Sequence, residues 1–251
     1  MVKTIVITGA TSGFGRSCAE RFAEEGWKLV LIGRRAKRLE EMWKELSIKT
    51  DILTLTLDVQ DRGKVFETFE SLPVDFQKID VLVNNAGLAM GLTPAFKADI
   101  NDWDTMIDTN IKGLVYSTRA LLPGMVKRNT GQIINIGSIS GNWPYPGGNV
   151  YGATKAFVQQ FSRNLRADLH GTKIRVTNLE PGIAETEFSI VRFKGDEERA
   201  GKVYKDTRAL KARDIADIVW WIANTPEHLN VNQIEVMPTC QTWGPLKIHR
   251  E

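Results

Sequence analysis

Cysteine and histidine are scarce in this chain. Only Cys18 and Cys240 occur, far apart, with no C-x-x-C spacing and no Cys/His cluster. That excludes a disulfide framework and reads as two reduced structural thiols in a cytoplasmic protein. His170, His228 and His249 have no metal-ligand spacing among them, so no metal site is expected and each is read as a surface or structural residue. Long apolar runs are missing too. No stretch approaches ~18 consecutive apolar residues, so no membrane span is expected. The opening M-V-K-T-I-V-I-T-G is a strand running into a glycine turn, not a signal peptide. No long basic run occurs either. The 33 basic and 30 acidic residues leave a net charge of +3, which argues against a nucleic-acid footprint and leaves room for a small anionic ligand. With no repeat, low-complexity tract or linker, residues 1–251 read as one domain.

What the chain does have is a rhythm of short apolar runs and longer amphipathic ones. Strands are expected at 3–8, 27–32, 52–57, 79–84, 132–137, 173–179 and near 232–237. Helices are expected at 14–25, 36–46, 61–71, 101–127, 148–168 and 212–224, with Asn101/Asp102 as the capping signal of the fourth. The strands lack in–out alternation, as strands do when helices cover both faces of a parallel sheet. Repeated β-α units with right-handed crossovers predict an α/β fold, a doubly wound, Rossmann-like parallel sheet of about seven strands. The polar segment 183–211 breaks the rhythm after the sixth strand, where an architecture of this kind keeps a lid, and a substrate lid is the expectation for it.

The turn after the first strand, Gly9-Ala10-Thr11-Ser12-Gly13-Phe14-Gly15, is the expected cofactor seat. Glycines allow a tight turn and close backbone approach, and the following helix N-terminus offers N–H groups to a pyrophosphate. The spacing differs from G-x-G-x-x-G, so the turn counts because it follows a strand and opens a helix. At the end of the second strand an acidic residue would favour NAD through its ribose hydroxyl. Gly33-Arg34-Arg35 stands there instead, and two guanidinium groups suit the 2′-phosphate of NADP.

Tyr151 and Lys155 lie four residues apart in Y-G-A-T-K, with Ser138 upstream in I-N-I-G-S-I-S-G. On a helix the first two share one face. A free phenol has a pKa of about 10, so acid–base work near pH 7 needs a drop of roughly 3 units, or ~4 kcal/mol. A cation ~4 Å away at an effective dielectric of ~20 supplies about that much, and Lys155 is expected to be that cation. Ser138 would hold the substrate oxygen, because a hydroxyl both donates and accepts. The group is suited to moving a proton on a carbinol oxygen.

With T-G-A-T-S-G-F-G, N-N-A-G at 84–87, Asn110, Ser138, Tyr151, Lys155 and Pro181-Gly182 in order, the chain resembles the short-chain dehydrogenase/reductase family over essentially its whole length. The resemblance implies that Asp58 and Val59 flank the adenine and that Asn85 lines the cofactor groove. It implies that Asn110 holds a water linking Lys155 to solvent. Pro181, Gly182 and Thr186 would bracket the nicotinamide carboxamide and phosphates. It also implies a homotetramer built on helices 101–127 and 148–168 and on the C-terminal tail. Stretches such as G-N-W-P-Y-P-G-G-N-V-Y-G-A-T-K and T-E-F-S-I-V-R-F-K-G-D look like the bacterial NADP-dependent 3-hydroxy acid dehydrogenases, which include enzymes described as serine or allo-threonine dehydrogenases and as malonic semialdehyde reductases.

An acid substrate needs a cation, and Arg192, with Lys194 beside it, lies in the polar segment. Trp143, Tyr145 and Pro146 are expected to wall the pocket, while Trp220 and Trp221 are read as core or subunit interface. Two other functions compete with a small-acid oxidoreductase. One is a reductase of bulkier carbonyls such as 3-oxoacyl thioesters. The other is a non-catalytic NADP-sensing regulator, which would typically lack Tyr151, Lys155 or Ser138.

Overall fold

The computed structural model describes residues 2–243 and 248; His249 and most of the C-terminal tail lie outside the described residues. Seven strands form one parallel sheet: β1 (Thr4–Thr8), β2 (Lys28–Gly33), β3 (Ile52–Thr56), β4 (Val81–Asn84), β5 (Gly131–Ile136), β6 (Ile174–Pro181) and β9 (Gln233–Val236). Their spatial order is β3-β2-β1-β4-β5-β6-β9. The chain runs outward one way from β1 and the other way from β4, so the point where the order reverses lies between these central neighbours.

Alternate residues of each strand feed two separate cores. Ile5, Ile7, Leu29 and Leu31 point to one face, under α1 (Gly13–Glu24), α2 (Ala36–Leu46) and α9 (Ala212–Ala223). Val6, Val30, Ile32 and Leu82 point to the other, toward α3 (Arg62–Glu70) and the long helices that follow β4 and β5. Period-two side chains buried on both faces explain why no polar alternation marks these strands. Each fully buried aliphatic side chain contributes about 1.5–3 kcal/mol. Trp220 belongs to the first core, its ring centroid 5.0 Å from that of Phe22 and 5.8 Å from that of Trp27, whereas Trp221 is exposed.

The expected helix 101–127 is a rod in three parts: α4 (Ile100–Ile107), a π-helical turn at Asp108–Gly113, and α5 (Leu114–Arg128). Its cap is Asp99, whose carboxylate accepts from the Asn101 N–H at 2.9 Å. The expected Asn101/Asp102 pair sits inside the first turn instead. After β5 a short 3₁₀ turn, Ile139–Gly141, leads to α6 (Asn149–Asp168).

Residues 183–211 carry structure of their own. Two-residue strands β7 (Ala184–Glu185) and β8 (Leu210–Lys211) pair in parallel, with α7 (Phe188–Arg192) and α8 (Glu197–Tyr204) between them. Ser189 and Tyr204 share a 2.6 Å hydrogen bond that fastens α7 to α8. Among the described residues no helix is long and apolar enough to cross a membrane.

Candidate active site

Parallel strands all end at one edge, and the loops leaving that edge converge on a cavity of about 490 Å³. Most of the residues singled out in the sequence line it. The first loop contributes Gly9, Thr11, Ser12, Gly13 and Phe14, and the next strands bring Arg34, Arg35, Asp58, Val59 and Asn85. Ser138, Tyr151, Lys155, Pro181, Gly182, Thr186 and Arg192 complete the wall. Six do not line it: Ala10, Gly15, Asn110, Trp143, Pro146 and Lys194.

Ala10 and Gly15 lie behind the turn. Ala10 is fully buried, and its N–H donates to the Ile32 carbonyl at 2.9 Å. A Cβ on Gly15 would stand 2.3 Å from the Gly9 carbonyl oxygen, so this glycine serves packing. Gly9 and Gly13 have φ of 67° and 51°, in the left-handed region that glycine enters at no steric cost. Ser12 caps α1 without a side-chain cap bond, and no acidic residue occupies the first turn. The α1 N–H groups are thus left for an anion.

Arg35 spreads its guanidinium over three partners: Thr11 Oγ1 at 3.0 Å, Ser12 Oγ at 2.6 Å and Glu187 Oε2 at 2.9 Å. Arg38 donates to both Glu187 oxygens, at 2.7 and 2.9 Å. Arg34 is exposed and stands 3.5 Å from Asp58. An anionic group therefore already sits on Arg35, so the donor set fits the 2′-phosphate of NADP. Arg38 and Glu187 escaped the sequence reading. The cluster R-R-A-K-R hinted at Arg38, one turn beyond Arg35. Nothing local marks Glu187, whose partners lie some 150 positions away.

Tyr151 and Lys155 both lie in the first turns of α6 and are buried. Lys155 Nζ donates to the Ile136 carbonyl at 2.7 Å and lies 5.9 Å from the centre of the Tyr151 ring. Arg192 comes closer, its guanidinium carbon 5.1 Å from the same centre. Burial pushes the Tyr151 phenol up to about 12, against the Arg192 charge and a Ser138 hydrogen bond, both of which lower it. Burial also takes Lys155 down to about 8. Lys155, the cation expected to lower the phenol, has its ammonium on the carbonyl that ends β5, and burial is the largest influence on the phenol.

Ser138 begins the 3₁₀ turn, its Oγ accepting from Ser140 N–H at 3.1 Å. Asn110 lies in the π-helical turn. Its Oδ1 accepts from Leu88 N–H at 2.9 Å, and its Nδ2 donates to Leu88 O at 2.8 Å and Thr154 Oγ1 at 3.0 Å. Both polar atoms of that side chain are thus engaged within the fold.

Arg192 ends α7. It donates to the Tyr145 hydroxyl at 3.0 Å, and its guanidinium carbon lies 5.0 Å from the Phe188 ring centre. Its Nε is buried without a hydrogen-bond partner. Lys194 is turned away and pairs with Asp102 at 2.9 Å. Trp143 is a correction. It is partly exposed and its indole donates toward Glu235 at 3.4 Å, because the turn after Ser138 rotates it toward β9. Of the three residues expected to wall the pocket, Tyr145 alone lines the cavity.

Comparison with known proteins agrees with this geometry. The family model described as short chain dehydrogenase matches residues 3–197. The NADP-dependent 3-hydroxy acid dehydrogenase YdfG of Salmonella typhi is 58% identical over 98% of this chain and 99% of that protein. Sulfoacetaldehyde reductase 2 of Chromohalobacter salexigens is 51% identical over 100% of both. The closed form of a serine dehydrogenase complexed with NADP+ superimposes with a TM-score of 0.93 at 55% identity, covering 99% of this chain and 100% of that one. Glycine turn, buried Tyr-Lys-Ser group and matches over nearly the full length lead to one conclusion: the chain belongs to the short-chain dehydrogenase family.

Proposed function

We propose that this protein is an NADP-dependent oxidoreductase acting at the 3-hydroxyl carbon of small 3-hydroxy acids, such as serine, allo-threonine or 3-hydroxypropionate. One observation carries the choice of substrate: a guanidinium, Arg192, faces the same cavity as Tyr151 and Ser138 and keeps a buried Nε unpartnered. A buried donor left unpaired costs ~1–3 kcal/mol, which a substrate anion would recover. Size supports the same reading. The Phe188 ring lies 5.5 Å from that of Tyr151, and this crowding disfavours bulky 3-oxoacyl thioesters. A sulfonate is the second reading, since it presents oxygens to Arg192 as a carboxylate does and one relative is named for such a substrate.

NADP, when bound, supplies the hydride acceptor or donor. Arg34 and Arg35 would hold its 2′-phosphate, and the glycine turn with the α1 N-terminus its pyrophosphate. Asp58, Val59 and Asn85 would flank the adenine end and central groove, with Pro181, Gly182 and Thr186 at the nicotinamide end. Ser138 Oγ holds the substrate oxygen while the Tyr151 hydroxyl gives or takes its proton. Lys155 titrates near pH 8 and is suited to pass that proton outward, by way of a water held at Asn110. Residues 183–211 act as the lid that brings Arg192 to the substrate. The protein works in the cytoplasm as a homotetramer built on α4–α5 and α6, where the half-buried rings of Phe157 and Phe161 stack with centroids 5.7 Å apart. Sedimentation equilibrium should return four protomers, and a monomer would remove this assembly.

Absorbance at 340 nm with NADP+ and a panel of 3-hydroxy acids, sulfonates and neutral alcohols tests the activity. Tyr151→Phe should bind NADP+ normally and lose ~10²–10⁴-fold in kcat. Retention of more than about a tenth of kcat would take the proton transfer away from Tyr151.

Arg192→Leu should raise KM for a 3-hydroxy acid by roughly 10- to 150-fold, the worth of a charged hydrogen bond, and barely alter KM for a neutral alcohol of similar size. Discrimination equal to wild type would release Arg192 from the substrate.

Lys155 has a folded-state pKa of about 8 against an ordinary 10.5. Between these values the unfolded chain keeps a proton that the folded one has lost, so this group makes stability rise with pH across that window. Below it, the cost of burying the charge is fully present. Urea unfolding of Lys155→Met should lack this rise, so the stability of the variant relative to wild type should fall from pH 7 to ~9.5. A difference independent of pH would show that Lys155 stays charged.

A further inference from the structure

The carboxylate on Arg35 takes no part in the proton transfer at Tyr151. Glu187 lies at the start of α7, in the segment that also carries Arg192. It reaches across the mouth of the cavity to Arg35 and Arg38, which stand at the start of α2. The other two partners of Arg35, Thr11 and Ser12, are neutral hydroxyls of the glycine turn and fix the guanidinium against the wall. Glu187 thus supplies the neutralising charge. Burial raises its pKa, but hydrogen bonds from the two guanidinium groups outweigh that and hold it below the ordinary carboxylate range. It is an anion at neutral pH.

We propose that Glu187 is an internal stand-in for the 2′-phosphate, seated on Arg35 and Arg38 until NADP displaces it, and that it thereby restrains the enzyme's preference for NADP over NAD. This rests on the reading of Arg35 as a 2′-phosphate ligand. A dianion and a carboxylate cannot share one guanidinium without repelling each other, so one must leave. The phosphate carries the greater charge and more acceptor oxygens, and the part-exposed Glu187 side chain can turn to solvent by rotation about its own bonds. NAD brings only a hydroxyl to this place. That hydroxyl can donate to Glu187, as ribose hydroxyls do to the acidic residue that ends β2 in many NAD sites. The same side chain therefore opposes one cofactor and accepts the other.

The test is isothermal titration of the full-length protein with NADP+, NAD+ and the fragment 2′,5′-ADP, which carries the 2′-phosphate without nicotinamide. Glu187→Gln keeps the size of the side chain and removes its charge. It should bind NADP+ and 2′,5′-ADP about 3- to 10-fold more tightly, the range expected for loss of one part-exposed ion pair, and NAD+ no more tightly than wild type. Arg35→Ala tests the supporting reading separately and should weaken NADP+ and 2′,5′-ADP while sparing NAD+. If Arg35→Ala shows that selective loss but Glu187→Gln leaves NADP+ affinity unchanged or weakens it, Glu187 does not compete and merely orients Arg35, and the proposal falls alone. If Arg35→Ala weakens neither phosphate ligand, the assignment of the 2′-phosphate site falls, and the proposal with it. Thermal melting of each variant without cofactor verifies that the titrated protein is folded.

Discussion

At the junction of β1 and β4, Asn85 donates its side-chain amide to the carbonyls of Thr8 and Gly9, at 3.0 and 3.1 Å. The Thr8 hydroxyl accepts in return from the N–H groups of Asn85 and Ala86, at 3.1 and 3.0 Å. The two loops come so near that a Cβ on Gly9 would stand 2.9 Å from the Ala86 Cα. This approach of one backbone to another fixes the turn that opens α1, and with it the direction in which the helix N-terminus points. It also defines the crevice where the strand order reverses, which Ser138, Tyr151, Lys155 and Arg192 line. Had either loop carried a larger residue at the contact, the strands could still pair, but the cavity between them would lose its floor.

The far side of the site depends on a second, polar arrangement. Asn84 Nδ2 donates to Thr118 Oγ1 and Asn135 Oδ1, both at 2.8 Å, and Asn135 Nδ2 donates to Ser162 Oγ at 2.8 Å. The chain of bonds runs from α5 through β4 and β5 to α6, entirely buried. Apolar side chains would tolerate sliding of α6 along the sheet, whereas this buried network, in which only Asn84 Oδ1 lacks a partner, can form in only one register. Tyr151 and Lys155 ride on that helix and Ser138 on the turn that leads into it, so the network sets the spacing between phenol and hydroxyl. Precise placement comes here from polar groups in the core, while bulk stability comes from the aliphatic residues around them.

The sheet was legible because its strands obey local rules: Ile, Val and Leu in short runs, with glycine, asparagine or proline at their ends. The same is true of the glycine turn and of the Tyr151–Lys155 spacing, which depend on neighbours in sequence. The elements that escaped depend on distant partners. Nothing in D-T-N-I-K-G announces a π-helical turn; it arises where Asn110 leaves the helical pattern to bind both polar atoms of Leu88. The cap of α4 was missed by two residues because Asp99, Asn101 and Asp102 are all plausible caps, and only the folded chain shows which carboxylate meets a free N–H. Trp143 looked like a pocket wall by position, yet Glu235 on β9 draws its indole outward. The proximity of Lys155 to the Tyr151 ring followed from helix geometry, but the phenol's raised pKa followed from burial, which spacing alone does not report.

The small clasp of β7 on β8 has a consequence for how this molecule can change over generations. Ala184 pairs with Leu210 and Glu185 with Lys211, so the segment between them leaves the sheet and returns to it through one fixed gate. Whatever lies inside the gate need only span a short, constant distance, and the entropy of closing such a loop grows only slowly with its length. Residues there can be exchanged, added or removed while the seven-stranded sheet, the glycine turn and the Tyr151–Lys155 pair keep their places. The scaffold that carries Tyr151 and Lys155 and the segment that carries Arg192 are thereby separable units of inheritance, and a lineage can remodel the second without having to fold the first anew.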